Sequence, residues 1–144
     1  MRAAGLWLLC VAVPAAMAAS AADRVTIDAN GHRILAEVAD TPDARDRGLM
    51  FRTAMPADHG MLFVYPNDAR HCMWMRNTYV PLSVAFLDGH GRVINTDEMV
   101  PRTDTSHCAT GPARYVLEMP AGWFARHGVG AGTRLDFQVA PAQR

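Results

Sequence analysis

The chain has 144 residues, half of them hydrophobic, with 14 basic and 14 acidic residues and a formal charge of zero. That balance supports one ordinary buried core and argues against a disordered chain. Every basic residue is an arginine, scattered among aspartates, so no basic stripe marks a nucleic-acid surface and no nucleic-acid partner is expected.

Met1-Arg2 is a short positive start, and Leu6 to Val13 is an apolar run too short to span a membrane. Ala16-Met17-Ala18 and Ala19-Ser20-Ala21 both have the small-x-small pattern of a cleavage site. Residues 1–22 therefore read as a secretory signal peptide cut somewhere in 18–22, with 23–144 as a single domain. An uncleaved N-terminal anchor is the competing reading. Leu9 before Cys10 argues against a lipidated cysteine. The expected location is periplasmic or secreted, with no membrane span once the signal is removed.

Val25 to Ile27 and Ile34 to Val38 flank Asn30-Gly31 and predict an opening hairpin. Thr41-Pro42 supplies an N-cap and a first-turn proline for a short helix over 43–47, and Gly48 suits its end. Met61 to Tyr65 is an apolar strand stopped by Pro66-Asn67-Asp68, and His71 to Met75 is the next strand. Ser83 to Leu87 and Arg92 to Thr96 flank Asp88-Gly89-His90-Gly91, a second hairpin. Residues 101–111 read as a polar loop, Arg114 to Met119 as a strand, Ala121 to His127 as a short helix, and Arg134 to Val139 as a last strand. Many short strands with two short helices predict a mainly β fold, a single compact barrel or sandwich-like domain.

Beyond Cys10, the chain has only Cys72 and Cys108. In an oxidising compartment two such cysteines pair more readily than they stay as free thiols or bind a metal. The bridge would close a loop of roughly 37 residues, for which chain entropy alone gives about 4 kcal/mol.

Four blocks carry a resemblance: Arg47-Gly48-Leu49-Met50-Phe51-Arg52; His59-Gly60-Met61-Leu62-Phe63; Trp74-Met75-Arg76-Asn77-Thr78 with Pro81-Leu82, Phe86 and Asp88; and Ala113-Arg114-Tyr115-Val116-Leu117-Glu118. In this order and spacing the chain resembles the domain of unknown function 192 family, from about Ile34 to Val139. The resemblance implies a compact, mostly β, often exported domain and no established activity. Ser83 departs from a pattern that favours aspartate after Pro-Leu, which counts against a catalytic role there.

Trp74, Met75 and Phe86 read first as core residues. Arg76, Asn77 and Thr78 are consecutive polar groups where a strand gives way to a turn. They either shape that turn through their own backbone or converge on a polar or anionic ligand. Arg47 and Arg52 bracket a helix end, with Asp43, Asp46 and Asp58 as candidate partners. Glu118, one of only three glutamates, lies between Leu117 and Met119, so it is expected buried and paired with Arg47, Arg76 or Arg114.

No hydrolase or phosphate-binding motif supports an enzyme, and no catalytic residue is assigned. His71-Cys72 and His107-Cys108 place neighbouring side chains on opposite strand faces, which suits no Cys–His nucleophile. The seven methionines beyond the signal-like segment and the histidines suit Cu(I) by ligand type, but no closed metal signature appears and no metal or cofactor is assigned. The expected function is an exported, non-catalytic binding or structural domain. Its ligand would be small and polar or anionic, or its partner a component of the cell envelope. The expected site holds Arg47, Trp74, Met75, Arg76, Asn77, Thr78 and Glu118. An envelope hydrolase and a periplasmic copper protein using Met and His side chains are the alternatives.

Overall fold

Strands β1 (Arg24–Ala29) and β2 (His32–Ala39) form the opening hairpin in full register, from Arg24 opposite Glu37 to Ala29 opposite His32. Asn30 and Gly31 both adopt positive φ, 56° and 82°, as a two-residue hairpin turn requires. The computed structural model describes residues 23–143, so the signal-peptide reading of 1–22 lies outside it.

Helix α1 (Pro42–Arg47) starts where Thr41 Oγ1 accepts the Ala44 N–H at 3.2 Å. It stops at Gly48, whose φ of +48° an L side chain rarely adopts. The chain then crosses to β3 (His59–Ala69), which runs parallel to β2. Pro66 does not end β3. It sits in a register break between Val64 and Ala69, the kind of position where a strand tolerates proline.

Next comes β4 (Cys72–Met73), then the hairpin of β5 (Leu82–Leu87) and β6 (Val93–Met99). Asp88 Oδ1 fastens that hairpin by accepting the N–H groups of His90 and Arg92 at 2.8 and 3.0 Å. The remaining elements are β7 (His107–Cys108), β8 (Ala113–Pro120), α2 (Trp123–Arg126) and β9 (Leu135–Asp136). Seven strands build one curled sheet in the order β6-β5-β8-β3-β2-β1-β9, while β4 and β7 pair separately. With 45% strand and 8% helix, the domain is mainly β, as expected.

The central strands are covered on both faces, which explains their unbroken apolar runs. Leu62, Val64, Ala85, Leu87, Leu117 and Met119 point into one cluster, closed by Trp123 and Phe124 of α2. Their alternate neighbours Phe63, Val84, Phe86 and Val116 point into a second cluster with Leu49, Met73 and Met75.

Three more expected elements differ. The strand over 134–139 shrinks to Leu135–Asp136, because its partner β1 offers it only Asp28 and Ala29. The strand over 71–75 shrinks to Cys72–Met73, because the Met75 N–H bonds Thr103 O in a loop instead of a ladder. The polar loop over 101–111 holds β7, recruited by β4.

Candidate functional site

The cleft forms where α1 and residues 48–50 face the wall that follows β4. Glu118 lies at its base, on the β8 face that joins the second cluster, opposite Met61 of β3 and Val84 of β5. It is 3% exposed. Among the described residues no hydrogen bond or ion pair reaches its carboxyl, so the expected arginine partner is absent. Arg76 pairs with Asp104 at 2.9 Å, Arg114 pairs with Asp68 at 2.6 Å, and Arg47 lies exposed on the rim. No fully enclosed side-chain polar atom among the described residues lacks a partner, so the Glu118 oxygens must open onto the cleft. Burial pushes its pKa up to about 8, with no cation offsetting the lost hydration. At neutral pH the group is mostly a neutral carboxylic acid able to donate one hydrogen bond.

The inner space is about 30 Å³, room for a water or the end of a ligand. It opens into an outer bay of about 280 Å³, and Arg45, Asp46, Met73 and Trp74 line both. Arg45 Nη1 donates to Asp40 O at 2.7 Å and Val64 O at 3.0 Å, tying α1 to the sheet. Its guanidinium stands 5.4 Å from the Tyr65 ring centre. Tyr65 stacks on His71 at 3.6 Å, and burial holds its phenol at about 12 and lowers the His71 pKa.

Of the expected site residues, Arg47, Trp74, Thr78 and Glu118 come together at this cleft. Met75, Arg76 and Asn77 do not line it. Along this segment Met73 and Met75 turn inward, while Trp74 and Arg76 turn outward. Trp74 is therefore no core residue. It is 47% exposed, and the Arg76 guanidinium lies over it at 4.3 Å. Asn77 takes the positive φ of a turn (55°), and its carbonyl accepts the Phe51 N–H. Thr78 Oγ1 donates to Arg76 O at 3.3 Å. The turn-shaping reading thus describes Asn77 and Thr78, and Thr78 also lines the cleft.

Arg52 pairs with Glu37 through both carboxylate oxygens at 2.6 and 2.5 Å, not with the aspartates considered for it, and this holds the Glu37 pKa below its usual value. Ser83, the departure from the family pattern, is fully buried. Its Oγ bonds the Glu98 carboxylate across β5–β6 and accepts the Gly122 N–H, an architectural network away from the cleft. The sequence reading missed Arg45, Asp46 and Met73 as lining residues. For the first two, the signal was that they share a one-turn helix with Arg47.

Residues 24–137 match the domain of unknown function 192 family, described as "Uncharacterized ACR". No curated protein matches the chain. Among solved structures, a protein of Sinorhizobium meliloti 1021 described as a candidate transcription regulator is 36% identical, with a TM-score of 0.74 over 79% of this chain and 92% of that one. A protein of unknown function from Novosphingobium aromaticivorans DSM 12444 is 34% identical, with a TM-score of 0.73 over 87% of this chain and 93% of that one.

Proposed function

The chain belongs to the domain of unknown function 192 family, and from that premise we propose that it is an exported binding domain for a small polar or anionic ligand, taken up in the Glu118 cleft. Glu118 carries the reading. A buried carboxyl without a partner is costly, and a ligand that accepts its proton in a hydrogen bond removes the cost. Thr78 adds a hydroxyl beside it, Arg47 a rim guanidinium with no carboxylate partner among the described residues, and Trp74 an apolar wall. The signal-like N-terminus and the disulfide support export.

One observation favours a hydrolase as the second reading. A general acid must hold its proton near neutral pH, and Glu118 does. Binding is preferred because the lining residues of the cleft include no serine, histidine or free thiol to serve as nucleophile or base partner. The copper reading is weaker still: Met50 and Met73 line the cleft, but Met75 is buried in the second cluster and no histidine lines the cleft or the bay.

Native mass spectrometry of protein purified from its own periplasm tests the proposal. A small mass retained by the wild type and lost in Glu118→Leu supports it. A wild type that carries nothing, and that also shows no chemical-shift response at Glu118 to acetate, phosphate or simple amides, overturns it.

A further inference from the structure

Cys72 and Cys108 stand directly opposite each other in the β4–β7 ladder and are disulfide-bonded, with Cα atoms 4.0 Å apart. This ladder is two pairs long and set apart from the main sheet. Cys72 is exposed and lines the outer bay, whereas Cys108 is half-buried. The next two residues, Met73 and Trp74, line the same cleft as Glu118 and form its wall opposite α1. Besides the bridge and the two ladder pairs, the wall is held by Met73 and Met75, which pack into the second cluster, and by a few hydrogen bonds. Ala109 N–H donates to His71 O at 2.9 Å, Arg70 Nε to Ala109 O at 3.2 Å, and Met75 N–H to Thr103 O at 3.1 Å. The base is held far more firmly, since β8 pairs with β5 from Leu82–Pro120 to Leu87–Tyr115 and with β3 on its other side.

We propose that the Cys72–Cys108 bridge is a redox latch on the cleft. Oxidised, it holds Met73 and Trp74 against α1, so that no more than a water or the end of a ligand fits beside Glu118. Reduced, it frees the wall, admits water to the carboxyl and weakens ligand binding. This rests on the reading of the cleft as the binding site. The reductant is a dithiol. Its thiolate attacks Sγ of the exposed Cys72, the Cys72–Cys108 bond breaks, and Cys108 leaves as a thiolate and takes up a proton. The second thiol of the reductant loses its proton and attacks the mixed disulfide. Cys72 is released as a thiol and the reductant departs as a disulfide. Two electrons move, and one disulfide replaces another.

The test compares the full chain oxidised and after treatment with dithiothreitol, by amide exchange and by NMR titration of the Glu118 carboxyl. On reduction, residues 70–76 should exchange on the order of tenfold faster while Leu62 and Leu117 stay protected. The Glu118 midpoint should fall by about one pH unit or more as water enters. Unchanged exchange and midpoint overturn the latch. So does loss of protection throughout, which makes the bridge a general staple. The Cys72→Ser, Cys108→Ser double variant should match the reduced protein without any reductant, and oxidised-like behaviour overturns the proposal. Acetate and phosphate titrations separate the two readings. No binding in either redox state contradicts the binding site, while a wall that loosens on reduction still supports the latch.

Discussion

Strand β8 separates two unlike packings. On one side Leu117 and Met119 join Trp123 and Phe124 in a cluster sealed by α2, with apolar neighbours throughout. On the other, Val116 shares its face with Glu118, and the cover is a one-turn helix and a wall held by a two-residue ladder. Side chains one residue apart thus differ in what covers them. The sealed side can gain only by tighter packing. The cleft side carries a polar group whose cost is unrelieved, beside a wall whose ladder is two pairs long. The two sides therefore separate stability from recognition.

Mutations sharpen that contrast. Leu117→Ala leaves a cavity on the sealed side and should cost about 2–5 kcal/mol in urea unfolding. Glu118→Met, of similar length, should do the opposite and stabilise by roughly 1–3 kcal/mol, because it removes a buried carboxyl with no partner. An ion-paired glutamate would instead lose about 3–5 kcal/mol on replacement, so the sign of this change is the informative part.

Stability should also depend on pH through Glu118. Burial pushes its carboxyl up to about 8 in the folded chain, from an ordinary value of 4.5. Between those values the folded chain keeps a proton that the unfolded chain releases. Stability is therefore full below the window and falls as pH rises through it, by roughly 1.4 kcal/mol per pH unit. Subtracting the Glu118→Gln profile isolates this slope from other groups, and equal profiles would mean a solvated carboxylate.

Smaller effects test the cover. Thr41→Ala removes the cap of α1 and should cost about 1 kcal/mol by chemical denaturation. Arg76→Lys should cost less than about 0.5 kcal/mol, because its pair with Asp104 is exposed on both sides. A larger loss would make the Arg76–Trp74 stack a structural part of the wall.

The two hairpins and the start of α1 were legible because their chemistry is local: Asn30-Gly31, Asp88-Gly89-His90-Gly91 and Thr41-Pro42 each state a backbone requirement within a few residues. The disulfide followed from compartment and cysteine count. Burial of Glu118 was legible from its apolar strand neighbours, but its lack of a partner was not, because two of the three candidate arginines are taken up by tertiary contacts that no spacing reveals and Arg47 stays out on the rim. Arg76 and Arg114 each find an aspartate that lies 28 and 46 residues away. The outward turn of Trp74 follows from period two once Met73 and Met75 are placed inside, yet the chain alone does not say which of them leads. The contribution of α1 to the cleft stayed hidden because six residues are too few to show a helical period.

The most direct measurement is the titration of the Glu118 side-chain carboxyl in the oxidised full chain, followed by carbon NMR. A buried, unpartnered carboxyl at the base of the cleft predicts a midpoint near 8. A midpoint at or below the ordinary 4.5 would mean that water or a cation satisfies Glu118, and would contradict the account.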